Sequence, residues 1–168
     1  MEDRSFEVSI AYALSMLRSS NLTVKEEQKC AVQAVYGGND VFVWLPTGYG
    51  KSLCYQVLPF VFDHKLGLIG SQRSSSVLVV SPLVSLMVDQ VQSLRSRGVK
   101  ASIISSGIGN KAVENLLASD TSLVSDSFFF CAPEVLVMKR WREALDNPSV
   151  SSRIVVIVID EAHCVSKW

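Results

Sequence analysis

An excess of basic residues is missing from this 168-residue chain, in which 16 Lys and Arg balance 16 Asp and Glu. With a pI near 6.7, charge alone gives no support for a nucleic-acid partner. Long apolar runs are missing too: none approaches the ~20 residues needed to span a bilayer, so no membrane partner is expected. The N-terminus, MEDRSFEVSI, opens with acids rather than a basic segment and does not read as a signal peptide. Cysteine is scarce and scattered, at Cys30, Cys54, Cys131 and Cys164, with no C-x-x-C pair. That spacing offers no zinc site in this segment. The apolar neighbours of each cysteine predict buried thiols in a reducing compartment. Internal repeats and long linkers are absent, and Ser71–Ser76 (SQRSSS) is the one low-complexity stretch, expected to be a surface loop.

What is present is apolar. Hydrophobic residues make up 48% and charged residues 19%, which suits a sheet covered on both faces, or a piece of something larger. Continuous apolar runs at Val41–Leu45, Val77–Ser81, Ala101–Ile104, Phe128–Ala132 and Ile154–Ile159 read as buried strands. Helix-period segments lie between them at Lys51–Phe62, Leu83–Arg97, Lys111–Ala118 and Glu134–Leu145. Two more, Phe6–Leu17 and Lys25–Val35, precede the first strand. Alternating strands and helices predict an α/β fold with a mainly parallel sheet, right-handed crossovers and helices on both faces.

Two strand ends carry chemistry. After Val41–Leu45 comes Pro46-Thr47-Gly48-Tyr49-Gly50-Lys51-Ser52, and then a helical pattern. Glycines let a backbone curl so that successive N–H groups converge on one anion, and a helix N-terminus adds positive potential. Lys51 supplies a mobile ammonium for phosphates, and the Ser52 hydroxyl suits Mg²⁺. The strict pattern G-x-x-x-x-G-K-[ST] fails at one place, where Leu45 replaces the first glycine. The competing reading is a Gly-rich strand-to-helix turn with an exposed lysine. At the other end, "RIVVIVIDEAH" runs apolar residues into Asp160-Glu161. Burying such a pair is costly unless a cation or hydrogen bonds compensate. Asp160 would hold Mg²⁺, partly through water, and Glu161 would orient and deprotonate an attacking water. The competing reading is a helix cap at Asp160 with an exposed Glu161.

Together, PTGYGKSLCYQ and DEAHCVSKW resemble the RecQ-type ATP-dependent DNA helicases of superfamily 2. The likeness runs from about Leu22 to Trp168, with several motifs in order. It implies a RecA-like P-loop fold, residues 23–168 forming the first helicase ATP-binding domain behind a helical extension at 1–22. It also implies that ATP and Mg²⁺ are bound by Thr47, Gly48, Tyr49, Gly50, Lys51, Ser52 and Asp160, with Glu161 and His163 completing the catalytic set. Gln28 falls where the family's adenine-reading glutamine lies, a side chain that can both donate and accept. Lys25 stands where the family usually has an arginine, and no aromatic residue occurs between Tyr12 and Tyr36. Lysine lacks arginine's planar face, so these departures bear on adenine selection and leave phosphate binding intact. Tyr49 fills a position that is usually small, and its ring is expected to point to solvent. Lys167 replaces the usual glutamine beside Trp168.

Single-stranded and duplex DNA are the partners the resemblance implies. "SPLVSLMVDQV" resembles the backbone-contacting motif Ia, which nominates Ser81, Pro82, Leu83, Asp89 and Gln90. "FCAPEVL" resembles the motif Ib region and nominates Pro133 and Glu134, while Trp168 either packs or stacks on a base. Ser81-Pro82 and Pro133-Glu134 are also competent helix starts without any DNA. The family implies a second RecA-like domain carrying arginine fingers, and zinc-binding and winged-helix modules, none of which lies in these residues. A strand beyond Trp168 would insert between Val41–Leu45 and Ile154–Ile159, so a gap or groove is expected there. The fragment alone is expected to bind nucleotide weakly and to unwind nothing. The family's 3′-to-5′ polarity, its repair and recombination roles, and a nuclear (or, in bacteria, cytoplasmic) location are expectations of the same kind. Other superfamily 2 enzymes acting on RNA or duplex DNA, and a non-catalytic interaction form, are the alternatives.

Overall fold

The computed structural model describes residues 6–18, 22–104 and 126–167, which divide into two compact units, within Met1–Arg73 and Ser74–Trp168. The predicted helix at Lys111–Ala118 lies outside the described residues.

The first unit is helical. Helix α1 (Phe6–Met16) packs against α4 (Leu58–Leu66), and α2 (Glu26–Tyr36) against α3 (Lys51–Gln56). Phe6, Ile10, Ala13 and Leu17 recur at helical spacing and are buried. The single helix expected over Lys51–Phe62 is broken at Val57. Pro59, in the first turn of α4, has no N–H to continue the bonds of α3, so the chain restarts its helix there. Val41–Leu45 does not form the predicted strand. The segment has no regular secondary structure, with Phe42 75% and Trp44 87% exposed, and it belongs to no sheet among the described residues. An apolar run becomes a strand only when a neighbour satisfies its backbone groups.

The second unit is a four-stranded, all-parallel sheet with flanking helices, as the alternating pattern predicts. Strands β1 (Ser76–Val80), β2 (Ala101–Ile104), β3 (Phe128–Cys131) and β4 (Ile154–Ile159) stand in the order β2-β3-β1-β4. Val79 sits opposite Phe130 on one side and Val158 on the other. The connection from β1 to β2 runs through α5 (Val84–Ser96) and moves one way across the sheet. The connection from β3 to β4 runs the other way, through α6 (Pro133–Leu136), α7 (Lys139–Asp146) and α8 (Pro148–Ser151). Right-handed crossovers in opposite directions lie on opposite faces, which covers the sheet twice. One core joins Leu78, Val80, Ile104, Phe129 and Cys131 to Val135, Trp141, Ala144 and Val150.

Several expectations need correcting. The helix read over Glu134–Leu145 is two short pieces, because Met138 adopts an extended conformation (ψ 134°) that ends α6 and starts α7. The restart leaves Trp141 buried in the core and Val137 exposed. Helix α5 (Val84–Ser96) lies within one residue of the expected Leu83–Arg97 at each end, and Ser81-Pro82 does not start it, since the Ser81 N–H prolongs the ladder by donating to Cys131 O. Burial on both faces holds for β1 and β3 and fails for β4, the sheet's edge, where Ile157 and Ile159 are half exposed. Ser71–Ser76 is a loop only in its first part. Ser75 and Ser76 are buried, and Ser76 starts β1 with its N–H on Arg153 O and its hydroxyl on Asp126 O.

The cysteines also divide. Cys54 and Cys131 are buried as predicted, Cys164 is half-buried and Cys30 is exposed on α2. Burial pushes the Cys131 thiol up to about 12, since a thiolate there would lose its hydration. Cys30 is therefore expected to alkylate readily with iodoacetamide at pH 8, and Cys131 only after unfolding. Mass spectrometry of native and denatured protein reads both, and rapid native labelling of Cys131 would contradict the packing described.

Candidate functional site

The candidate phosphate-loop residues of the first unit are held by the N-cap and first turn of α2. Gly48 and Gly50 have φ of 79° and 86°, a left-handed backbone that other residues adopt at a cost. Tyr49 N–H donates to Pro46 O at 3.2 Å and closes the turn. Gln28, buried at 2% exposure, donates from Nε2 to Tyr49 O and Gly50 O, both at 3.0 Å, and accepts the Lys25 N–H at 2.9 Å. In a planar trans peptide the C=O and the following N–H point opposite ways. Drawing these two carbonyls toward Gln28 therefore turns the N–H groups of Gly50 and Lys51 the other way, as anion binding requires. Gln28 thus has both amide hydrogens on the loop rather than open to a base.

Lys51 is exposed, and its Nζ rests on Leu45 O at 3.0 Å and Pro46 O at 3.3 Å. Thr47 and Gly48 are exposed and Ser52 half-buried, at the start of α3. Tyr49 departs from expectation. Its ring is half-buried, with the Lys25 ammonium 3.7 Å from its centroid, and its phenol donates to Glu27 Oε2 at 2.7 Å. That bond holds the Glu27 carboxyl below its ordinary range and the Tyr49 phenol above its own. Sequence reading did not single out Glu27; its signal was an acid in the first turn of α2, beside Gln28.

A methyl group at Gly50 would stand 3.0 Å from Gln28 Nε2 and impose a left-handed conformation on an alanine. Gly50→Ala is expected to cost about 1–3 kcal/mol in backbone strain, before any loss of the Gln28 contact. Chemical denaturation would measure it, and a cost near zero would mean that the loop is held otherwise.

In the second unit, Asp160 prolongs β4 by donating its N–H to Val80 O at 2.9 Å, so the acidic pair sits at the carboxyl end of the sheet. Ligands bind at that edge in open α/β sheets. Asp160 Oδ1 accepts the Glu161 N–H at 3.0 Å. Glu161 has a φ of 52°, uncommon for a residue with a side chain, and its carbonyl accepts the Cys164 N–H that starts the 3₁₀ turn Ala162–Lys167. The turn brings His163 Nδ1 within 3.2 Å of Glu161 Oε2, with the imidazole largely exposed. Asp160, Glu161 and His163 are therefore brought together.

The same edge carries the nominated nucleic-acid residues. β1 and β3 are adjacent and parallel, so the segments following them, Ser81–Gln90 and Ala132–Leu136, start side by side. Leu83, Asp89 and Glu134 are exposed, and Pro82, Gln90 and Pro133 half-buried. Ser81 is buried, with its Oγ unpaired, and presents no hydroxyl to solvent. Trp168 lies outside the described residues. Among the described residues no three His, Cys, Asp or Glu side chains are grouped to hold a metal, and no helix is long and apolar enough to cross a membrane.

The DEAD/DEAH box helicase family model matches residues 25–168. The chain is 37% identical to the ATP-dependent helicase SGS1 of Saccharomyces cerevisiae over 82% of its own length. It is 35% identical to the probable ATP-dependent DNA helicase RecS of Bacillus subtilis over 86% of its length, and 33% identical to the ATP-dependent DNA helicase RecQ of Haemophilus influenzae over 93%. The chain belongs to the DEAD/DEAH box helicase family, with RecQ-type relatives. It spans 9%, 26% and 23% of these three relatives. The four-stranded parallel sheet with flanking helices agrees with a RecA-like helicase domain, and membership implies nucleotide and Mg²⁺ use. The loop and acidic residues fit that use: left-handed glycines, a mobile ammonium and a hydroxyl in the first unit, and a carboxylate pair at a sheet edge in the second.

Proposed function

We propose that this chain is the ATP-binding part of a RecQ-type DNA helicase that couples ATP hydrolysis to strand separation. The observation that carries the reading is the orientation of the loop peptides: Gln28 holds two carbonyls on one side and so aims the next two N–H groups the other way. Thr47 through Ser52 would cradle the phosphates, with Lys51 leaving the Leu45 and Pro46 carbonyls for a phosphate oxygen. On the family resemblance alone, Ser52 and Asp160 are each nominated for the metal ion, which when bound would supply charge neutralisation on the phosphates. Glu161 would orient the attacking water and accept its proton, and His163, beside its carboxylate, would keep that side chain in place.

Ser81–Gln90 and Pro133-Glu134 would line the DNA backbone, and Trp168 is nominated beside them by the family resemblance alone. With Gln28 occupied by the loop and Lys25 lying over Tyr49, adenine is expected to be weakly selected over guanine. The 3′-to-5′ polarity, the roles in repair and recombination, the second RecA-like domain as partner, and a nuclear location in a eukaryote rest on the family resemblance. Residues 1–168 alone are expected to separate no strands. Unwinding of labelled duplexes by the full-length protein tests the reading: ATP-dependent opening of a 3′-tailed DNA duplex supports it. Activity confined to RNA duplexes would replace it with another superfamily 2 function.

A further inference from the structure

We propose that Tyr49 is a positioning residue for nucleotide binding, which with Glu27 and Lys25 latches the crown of the phosphate loop to the first turn of α2. The inference rests on the nucleotide reading above and assigns a role to the Tyr49 ring and phenol, where that reading uses only the residue's place in the loop.

Three contacts converge on one loop residue. The Tyr49 phenol donates to Glu27 Oε2 at 2.7 Å, the ring lies under the Lys25 ammonium at 3.7 Å, and the Tyr49 carbonyl accepts from Gln28 at 3.0 Å. Lys25, Glu27 and Gln28 are near neighbours at the start of one helix, so the loop is pinned to a single rigid turn from its side chain and its backbone at once. A hydrogen bond to an ionised carboxylate is among the stronger kinds, and its short length accords with that. The latch matters for ligand rather than for fold. The φ values of 79° and 86° on either side of Tyr49 leave the crown two glycine hinges about which its peptides can turn. A crown tied at Tyr49 keeps its carbonyls on Gln28 and its next N–H groups aimed at the anion. Untied, it rotates among conformers of which only a fraction bind, and affinity falls by that fraction. Because the phosphates alone sense this, the base should not matter.

The test uses the full-length protein and isothermal titration with ATP and, separately, inorganic tripolyphosphate. Tyr49→Phe keeps the ring under Lys25 and removes only the hydroxyl; Glu27→Ala removes its acceptor; Glu27→Gln retains a neutral one. Tyr49→Phe and Glu27→Ala should each weaken both ligands by the same factor, about two- to tenfold for one exposed hydrogen bond. The double variant should be no weaker than either single, Glu27→Gln should recover part of the loss, and the ligand-free thermal midpoint should stay put. Unchanged affinities, losses that multiply in the double variant, a loss for ATP but not tripolyphosphate, or a lowered midpoint accounting for the loss would each overturn the latch. If the wild type binds both ligands and Lys51→Ala does not, such a result removes only the latch. If the wild type binds neither, the nucleotide reading falls with it.

Discussion

Replacing Lys51 with alanine is expected to reduce DNA-dependent ATP hydrolysis by the full-length protein on the order of 10²–10³-fold, the usual loss on removing one preorganised donor to developing charge. In the structure the ammonium sits on the carbonyls of Leu45 and Pro46, at 3.0 and 3.3 Å, neutral acceptors at the mouth of the loop. A phosphate oxygen is a better partner, because charge on both sides roughly doubles the strength of such a bond. The lysine is thus stored within reach of the ligand at little cost. Alanine removes the charge and leaves the backbone cradle, so residual nucleotide binding should survive and hydrolysis should not. Lys51→Arg would not restore the rate, since a planar fork cannot reproduce a compact ammonium at the end of a short turn. Steady-state phosphate release with and without single-stranded DNA reads the effect. Wild-type rates from Lys51→Ala would mean that the loop is only a structural turn.

Glu161→Gln should lower hydrolysis about 10²–10⁴-fold, the contribution of a positioned general base, while leaving nucleotide affinity nearly unchanged. The carboxylate does no visible structural work that an amide could not do. Its Oε2 lies 3.2 Å from His163 Nδ1, and the neighbouring turn is held by the Glu161 carbonyl on Cys164 N–H and by Asp160 Oδ1 on the Glu161 N–H. Glutamine keeps those backbone bonds and loses only the ability to take a proton. The left-handed φ of 52° at Glu161 is strain of the kind that collects where a side chain must be aimed. Comparing hydrolysis with the affinity for a fluorescent ATP analogue separates the two quantities. A parallel fall in both would assign Glu161 to binding, and no fall in either would assign it to the surface.

The sheet was legible because its strands are short apolar runs between helical segments, and Ala101–Ile104 and Ile154–Ile159 coincide with the observed β2 and β4. Val41–Leu45 reads the same way yet belongs to no sheet among the described residues, since pairing depends on a neighbour that composition cannot reveal. For the same reason β4 reads as fully buried and is an edge. Helix breaks escaped where they follow local backbone choices, at Val57 before Pro59 and at Met138, rather than loss of apolar spacing. The candidate site is read from residue types at fixed offsets, as in Gly48, Gly50, Lys51 and Ser52, or Asp160 and Glu161. What escaped was the support beneath it. Gln28 is committed to loop carbonyls, and Tyr49 bonds Glu27 across 22 residues of sequence instead of facing solvent. Contacts made by folding the chain back on itself leave no periodic trace.

The most direct test of a nucleotide site that serves a DNA motor is ATP hydrolysis by the full-length protein, titrated with single-stranded DNA and, in parallel, with RNA of the same sequence. The account predicts slow hydrolysis alone, strong stimulation by DNA, weaker stimulation by RNA, and loss of the stimulated rate in Lys51→Ala. Hydrolysis indifferent to DNA, or stimulated by RNA alone, would contradict it.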